Sequence, residues 1–600
     1  MEALYLGDGA RAWFAWHHVA SGGAAAGGMA LVIVPPFGHE ALGAHRSLRH
    51  LALRAAAAGI AAWRIDLDGT GDSSGDDLDP QRVAAWCASI SAAVDAARAA
   101  GASRVVLAGV RLGALLATLV ATERGDLDGL IAIVPVVSGR KWLREMRALQ
   151  AALGLPAAPA GARTFDGDEI LGFAMTAATR DELTAIELHK LERPPAPRVC
   201  VIDRSDMAAS QAWLAHLRAL GSEVVHASLP GYVDMIADAH KAEIPEQIVA
   251  TVLAQTTAWS EGTTRGSAGP GTEVPELPEL REMSELREVR EVREVREVPE
   301  VREVREVPEV HEARIGPILE QPLAIGGLAA IVSRPAAEPR PRRALILLNA
   351  GAVRRVGPNR MYVTIARRCA AEGALVVRAD ASGLGDSPAQ PGHDERIVYG
   401  DTLAPDVRSL VAWCREAGAR VIVLAGLCSG GFYAMEAAIE GESIAAMIPI
   451  NPGAADLFAY QAAEDTERYR SSVRDAGKWK KLLTGQVDLR RLARSLWSRT
   501  RGQARVAAEH AARRLGRPLH SDRAARFVAA VAGGIQTTLV VCSTDPALPY
   551  LQKTIGELWP RLERAGFVLR VIEGPDHTFT PRWSQDVLAD EVAAALHRVR

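Results

Sequence analysis

One cysteine lies in a sequence pattern that predicts covalent chemistry. Cys428 is flanked by glycines at positions 426 and 430, follows the apolar run Val-Ile-Val-Leu-Ala and precedes an Ala-rich stretch. The pattern predicts a buried strand, a tight turn and a helix, with the thiol at the helix N-terminus. A thiol becomes a strong nucleophile once a neighbouring base removes its proton, and a helix N-terminus stabilises the thiolate. The alternative is a small buried cysteine that only fits the turn.

A carboxylate and an imidazole follow later in the chain, each after an apolar run. Asp545 follows Thr-Thr-Leu-Val-Val-Cys-Ser-Thr, and His577 follows Val-Leu-Arg-Val-Ile-Glu-Gly-Pro-Asp. Alone, the aspartate could start an Asp-Pro turn and the histidine could be an ordinary loop residue. Together, the carboxylate would hold the imidazole tautomer, and the imidazole would deprotonate the thiol and protonate the leaving group. We predict a catalytic triad of Cys428, His577 and Asp545.

An earlier segment repeats the glycine pattern around an arginine. Arg111 lies between Gly109 and Gly113, and an arginine stays protonated and cannot act as a nucleophile. Asp206 and His240 are the candidate partners of this degenerate site. One interpretation is a non-catalytic domain kept for architecture or binding. Two other interpretations remain. Arg111 could bind a carboxylate or phosphate, or another residue such as Ser138 could be the nucleophile.

These motifs belong to two halves that repeat each other. The segment Arg-Ile-Asp-Leu-Asp-Gly-Thr-Gly-Asp-Ser at 64–73 matches Arg-Ala-Asp-Ala-Ser-Gly-Leu-Gly-Asp-Ser at 378–387. Short apolar runs alternate with Ala-rich helical stretches in both halves, which predicts an α/β fold with a mostly parallel sheet flanked by helices. We interpret the glycines of both matching turns as structural residues that the fold requires.

Both halves resemble the α/β-hydrolase fold, whose signature is a strand, Gly-x-nucleophile-x-Gly and a helix. The first half is similar to exosortase A-associated hydrolases of type 2, through Pro-Pro-Phe-Gly-His-Glu and Gly-Val-Arg-Leu-Gly. Through Arg-Arg-Val-Gly-Pro-Asn-Arg at 354–360, Gly-Leu-Gly-Asp-Ser at 383–387 and Gly-Leu-Cys at 426–428, the second half is similar to the type 1 group, which is serine-aminopeptidase-like. Its cysteine resembles that of dienelactone hydrolases. The resemblance implies the chain order nucleophile, acid, base. It also implies an oxyanion hole formed by the backbone N–H of Ser429 and the loop that holds Ala350 and Gly351.

A low-complexity segment separates the halves. Residues 259–315 contain repeated Glu-Val-Arg triplets interrupted by prolines, which predicts a solvated spacer or, alternatively, a docking element. We therefore predict hydrolase domains at 1–258 and 316–600. A long helical cap is expected at about 455–534. This cap contains 17 Lys and Arg against 8 Asp and Glu, so it is either a solvated face or a docking face for an acidic partner, which could be an acyl carrier protein, coenzyme A or an acidic polysaccharide.

Composition narrows the class of protein. The 600 residues include 69 basic and 72 acidic side chains, a balance that does not favour nucleic acid as a partner, and six scattered cysteines predict neither disulfides nor zinc. With no signal peptide or transmembrane run, we expect a cytoplasmic protein without cofactor or metal. The predicted function is a hydrolase or acyltransferase acting on a small-molecule ester or thioester. The alternative is a non-catalytic tandem scaffold that binds an anionic ligand or an acyl carrier partner.

Overall fold

The structure is a computed structural model, and it describes most of the two repeated halves. The described residues are 1–7, 11–22, 28–206, 210–260, 312–337, 341–400, 403–453, 508–515, 519 and 522–599. Residues 261–311 of the predicted spacer lie outside the described residues. Most of the predicted cap, including 454–507, also lies outside them.

The first half contains two sheets and the helices that cover the larger one. Its described strands are β1 Glu2–Leu6, β2 Trp13–His18, β3 Met29–Val34, β4 Ala61–Ile65, β5 Arg104–Val110, β6 Gly129–Ile133, β7 Gly167–Ile170, β8 Phe173–Thr176, β9 Arg198–Arg204 and β10 Glu223–Leu229. Its described helices are α1 His39–Ala57, α2 Arg82–Ala99, α3 Leu112–Arg124, α4 Gly139–Leu153, α5 Ala177–Ala185, α6 Gln211–Ala219, α7 Tyr232–Met235 and α8 Glu246–Ser260.

The second half repeats this architecture. Its described strands are β11 Ala313–Ile315, β12 Ile318–Ile325, β13 Leu328–Pro335, β14 Arg343–Leu348, β15 Leu375–Ala379, β16 Val421–Leu427, β17 Ala446–Ile450, β18 Gln536–Cys542 and β19 Val568–Ile572. Its described helices are α9 Met361–Ala371, α10 Leu403–Glu416, α11 Ser429–Ile439, α12 Arg523–Ala532, α13 Ala547–Ile555, α14 Trp559–Arg564 and α15 Arg582–Arg598.

Both large sheets have the same strand order around a parallel centre. Among the described residues, the first is ordered β1-β2-β4-β3-β5-β6-β9-β10 and the second β11-β12-β13-β15-β14-β16-β17-β18-β19. Only the pairs at the N-terminal edge of each sheet are antiparallel, from β1 to β4 and from β11 to β15. The predicted fold class, two α/β domains with mostly parallel sheets flanked by helices, is confirmed.

Burial explains why the central strands are continuously apolar. β3 is buried at every position, because α1 and α8 cover one face of the sheet while α2 and α3 cover the other. In the second half α9 and α15 cover one face, and α10, α11 and α12 cover the other. The parallel centre places the carboxyl ends of β14, β16, β17, β18 and β19 at one edge, and the loops that follow these strands carry the candidate site residues.

The two halves also pack directly against each other. Phe14 and Trp16 from β2 form a buried cluster with Ala329 and Ile331 from β13. Over the described ranges, no helix is both long enough and apolar enough to cross a bilayer.

Candidate active site

The backbone at Cys428 is held in a strained turn. Cys428 follows β16 directly, precedes α11 and has φ 57° and ψ −115°, a region that side chains other than glycine rarely adopt. A Cβ on Gly426 would lie 2.6 Å from the carbonyl carbon of Gly430. A Cβ on Gly430 would lie 2.4 Å from the Leu348 oxygen. The glycines are therefore required by close backbone packing, and the turn presents the thiol above the sheet edge.

A buried tyrosine holds the two strand ends beside this turn. The Tyr362 hydroxyl donates to the Leu348 carbonyl oxygen at 2.9 Å and accepts the Leu427 N–H at 2.7 Å. Tyr362 is fully buried, so these hydrogen bonds form without competition from water. They fix β14 relative to the residue immediately before Cys428.

The candidate acid and base meet at the same edge. Asp545 follows β18 and His577 follows β19, and the His577 Nδ1 atom is hydrogen-bonded to the Asp545 carboxylate. The other carboxylate oxygen of Asp545 accepts the Ala547 N–H at 2.7 Å, which orients the acid at the start of α13. The Asn451 amide donates to the His577 carbonyl oxygen at 2.8 Å and accepts the Cys542 N–H at 2.9 Å. Asn451 thus ties the end of β17 to both loops.

The surroundings of Cys428 favour its thiolate. Burial alone would raise the pKa of the thiol, but hydrogen bonds from His577, the Ser429 N–H and the Tyr399 hydroxyl lower the pKa below its ordinary value. Burial opposes protonation of His577, yet Asp545 and Cys428 raise the imidazole pKa well above its ordinary value. Both shifts stabilise a thiolate–imidazolium pair.

The other cysteines differ from Cys428. Burial raises the pKa of four of the remaining thiols to about 12, and these are Cys87, Cys200, Cys369 and Cys414. Burial also raises the pKa of Cys542. Among the six cysteines, all of them described, Cys428 alone has a lowered pKa.

The predicted oxyanion donors lie at the turn, but one of them is engaged. The Ser429 N–H contributes to the lowered pKa of the Cys428 thiol. The Gly351 N–H donates to the Ser429 hydroxyl oxygen at 2.9 Å, and this hydroxyl donates to the Asn349 carbonyl oxygen at 3.0 Å. The Ala350 N–H donates to no acceptor within the described part of the chain. Of the two loop residues, Ala350 is therefore the one with an available donor.

Tyr399 and Asn451 were missed by the sequence analysis. Tyr399 lies in the loop before α10, and its hydroxyl reaches Cys428 across Gly453, where an added Cβ would lie 2.4 Å from that hydroxyl and 3.5 Å from the sulfur. No motif marks Tyr399. Asn451 has φ 36° directly after an apolar strand, but its backbone angle is not visible in a sequence.

The arginine turn of the first half has the same backbone and different chemistry. Arg111 has φ 53° and ψ −117°, close to the angles of Cys428. Its guanidinium pairs with Glu40 at 3.0 Å and Glu145 at 2.7 Å, and Glu40 also accepts the Tyr232 hydroxyl at 2.7 Å. Two carboxylates therefore already neutralise the one positive charge of the turn.

The other two residues predicted for this degenerate site lie apart from it. Asp206 is exposed and pairs with Arg204 at 2.6 Å, and His240 is also exposed. No hydrogen bond or ion pair joins Asp206 to His240, or either of them to Arg111, although the structure describes all three. Among its described residues, the first half therefore presents neither a nucleophile nor an assembled acid–base pair at this turn.

Comparisons with known proteins agree with this architecture. Residues 323–595 match the alpha/beta hydrolase family, and residues 39–165 match the family described as serine aminopeptidase, S33. No curated protein matches the chain. Both family matches support hydrolase activity.

Three solved structures similar to this chain each cover less than half of it. Est1E from Butyrivibrio proteoclasticus, with ferulic acid bound, is 18% identical, covers 44% of this chain and 100% of its own, and has a TM-score of 0.33. Proline iminopeptidase from Mycobacterium smegmatis is 16% identical, covers 44% and 99%, and has a TM-score of 0.30. Mouse alpha/beta hydrolase domain-containing protein 10 is 14% identical, covers 43% and 100%, and has a TM-score of 0.29. From the two family matches and the two sheets, this chain carries two alpha/beta-hydrolase domains in tandem.

Proposed function

We propose that the second domain hydrolyses or transfers the acyl group of an ester or thioester through a covalent intermediate on Cys428. The observation that carries this proposal is the hydrogen-bonded series from Cys428 through His577 to Asp545. A cysteine that only filled the turn would need no imidazole, and burial would raise its pKa as it does for the other five thiols.

The proposed reaction has two halves. The Cys428 thiolate attacks the acyl carbonyl carbon, and the N–H groups of Ser429 and Ala350 stabilise the negative charge on the carbonyl oxygen. The intermediate collapses, the carbon–oxygen or carbon–sulfur bond breaks, and His577 gives its proton to the leaving alkoxide or thiolate. Water or another hydroxyl or thiol then attacks the acyl-cysteine carbonyl carbon while His577 takes the proton of the attacking group. The bond between this carbon and the Cys428 sulfur breaks, which releases the acyl product and restores the thiolate beside the protonated His577. Asp545 holds the imidazole tautomer in both halves.

A cavity that shares Tyr399 with the candidate site supports an acyl substrate. Among the described residues, Tyr399, Phe432 and Tyr433 contribute to the wall of an open cavity of about 610 Å³. The aromatic part of the wall suits the apolar part of an acyl group, and Tyr399 links this cavity to Cys428. The described wall also includes five charged side chains, which are Arg408, Glu436, Glu440, Glu442 and Arg523. Similarity to exosortase A-associated hydrolases of type 1 remains our proposal for the subfamily of this domain, as does type 2 for the first domain. An acyl carrier or coenzyme A donor at the basic cap also remains a proposal.

Intact-mass spectrometry tests the covalent step. We expect wild-type protein incubated with p-nitrophenyl esters and acyl thioesters to gain one acyl group, because the thiolate forms the acyl-enzyme before it is resolved. Cys428→Ala should gain none, and Cys414→Ala, which removes a thiol whose pKa burial raises to about 12, should behave as wild type. Absence of both adduct and turnover in wild type, together with an ordinary alkylation rate at Cys428, would favour the non-catalytic scaffold.

We propose that the first domain is not a hydrolase in its own right. The support is the Arg111 guanidinium at the position where Cys428 lies in the second domain, with Glu40 and Glu145 already paired to it. These carboxylates also argue against an anionic ligand at Arg111, since the ligand would have to displace them. The arrangement favours an architectural role.

Tyr399→Phe should make Cys428 less reactive without removing its activity. Loss of the hydroxyl removes one donor to the thiolate, and a hydrogen bond of about 1 kcal/mol corresponds to about a fivefold smaller thiolate population. The pKa of the thiol should rise. Alkylation by iodoacetamide at neutral pH should therefore slow by about threefold to tenfold, and its pH profile should move to higher pH.

Tyr232→Phe is the matched control for this measurement. It removes a buried tyrosine hydroxyl that donates to Glu40 in the other domain, so the Cys428 profile should not move. An unchanged profile in Tyr399→Phe would show that this hydroxyl does not stabilise the thiolate.

A further inference from the structure

The loop that carries the candidate oxyanion donor is held by the other domain. After β14, residues 349–360 cross the Gly-rich turn 66–75 of the first domain. Arg354 pairs with Asp66 through two hydrogen bonds, of 2.7 and 3.2 Å. Arg360 donates to three carbonyl oxygens of the turn, those of Gly71 at 2.9 Å, Ser73 at 2.5 Å and Gly75 at 3.0 Å.

Between these two arginines, Arg355 is enclosed by carboxylates from both domains. It is 1% exposed and pairs with Asp72 of the first domain at 2.8 Å. It also pairs with Asp380 at 2.7 Å and Asp386 at 2.8 Å in the second domain. The loop therefore cannot move relative to the first domain without separating buried charges, which is costly.

The first domain is shaped for this approach. A Cβ on Gly71 would lie 2.1 Å from the Asp66 carboxyl carbon and 2.5 Å from an Arg354 nitrogen. Gly71 has φ 49°, so both its backbone and its lack of a side chain are required. The glycine leaves room for the guanidinium of the other domain.

Hydrogen bonds within the loop connect the residues around Arg354 to those around Ala350. The Val353 N–H donates to the Ala350 carbonyl oxygen at 3.1 Å, and the Gly357 N–H donates to the Arg354 carbonyl oxygen at 2.9 Å. The Asn349 side chain donates to the Val353 carbonyl oxygen at 3.0 Å. A displacement of Arg354 would therefore be passed to Ala350 through one compact turn.

We propose that the first domain acts as a built-in positioning element for the oxyanion loop of the second, with Asp66 as a positioning residue. This inference rests on the proposed function of Cys428. It gives the first domain, which has Arg111 in place of a nucleophile, a role in catalysis that requires no chemistry at Arg111. A misplacement of about 1 Å at a donor can cost up to about 10²-fold in rate, so the effect should fall on kcat.

The test uses the full chain with Asp66→Asn, Arg354→Gln and the double variant. The amide oxygen introduced by Asp66→Asn can still accept the Asp72 N–H, which Asp66 accepts at 2.9 Å, so the turn itself is kept. Each single variant should lower kcat by about tenfold with KM within about twofold. The double variant should lose no more than either single one, because both remove the same ion pair. Hydrogen–deuterium exchange of residues 349–357 should rise in all three.

Glu395→Gln is the control for general weakening of the interface. Glu395 pairs across the domains with Arg46 and Arg49 at 2.8 Å and with His50 at 2.9 Å, and it makes no ion pair or hydrogen bond to loop 349–360. It should leave kcat and loop exchange unchanged.

The exchange and kcat measurements distinguish whether the first domain holds loop 349–360 from whether this contact affects catalysis. Unchanged exchange in Asp66→Asn and Arg354→Gln would contradict the proposal that the first domain holds loop 349–360, whether or not the enzyme turns over. Increased exchange with an unchanged kcat in an active enzyme would overturn the catalytic consequence, as would an equal loss of kcat in Glu395→Gln. If wild type neither acylates nor turns over, the proposed function fails, and exchange alone decides whether the first domain holds the loop.

Discussion

His577→Gln is expected to lower kcat for ester or thioester turnover by about 10⁴-fold. Glutamine keeps the size and polarity of the side chain but cannot take the Cys428 proton or return it to the leaving group. It also removes the hydrogen bond and the charge that lower the thiol pKa. Steady-state kinetics, together with the pH dependence of Cys428 alkylation, measure both losses. The alkylation profile should move to higher pH, because the thiolate is no longer paired with an imidazolium.

A second histidine in the same domain provides the control. His510 pairs with Glu557 at 2.5 Å and lies outside the candidate site, so His510→Gln should leave kcat and the alkylation profile unchanged. Activity within about tenfold of wild type in His577→Gln would show that this imidazole is not the base.

Features governed by local sequence could be predicted. The apolar strands and the glycines around Cys428 follow from patterns within a few residues of each position, and both family matches agree with the fold that these patterns predict. Burial on both faces of a parallel sheet forces continuous apolar runs, and a tight strand–helix turn forces glycine. Such constraints are visible in a single chain.

Features that depend on contact between distant segments could not be predicted. Arg64 and Asp386 are separated by 322 positions in the sequence, yet they pair at 2.7 Å, and Arg378 pairs with Asp72 in the reciprocal arrangement. The repeated turn predicts structural glycines in each half, whereas these charged side chains pair across the interface. The contact of Tyr399 with Cys428 could not be predicted either, because loop conformation is set by packing rather than by a local pattern.

The reciprocal pairing predicts a large stability effect at Asp72. Asp72→Asn should lower the free energy of unfolding by about 3 kcal/mol, because it leaves Arg355 and Arg378, both buried, without a carboxylate that each now contacts. Urea unfolding followed by tryptophan fluorescence measures the change. Glu246→Gln removes an exposed carboxylate that pairs with Arg54, and it should change the free energy of unfolding by no more than about 0.5 kcal/mol.

The pH dependence gives this second prediction its sign. Burial alone would raise the pKa of Asp72, but the guanidinium groups of Arg355 and Arg378 lower it below the ordinary value. The folded state therefore binds the proton less readily than the unfolded chain, whose aspartates titrate near about pH 3.9. The stabilising contribution of Asp72 is present above about pH 4 and is lost as the pH falls further. The difference between wild type and Asp72→Asn should accordingly be full at neutral pH and shrink below about pH 4, and a difference that grew on acidification would contradict an ionised Asp72 in the interface.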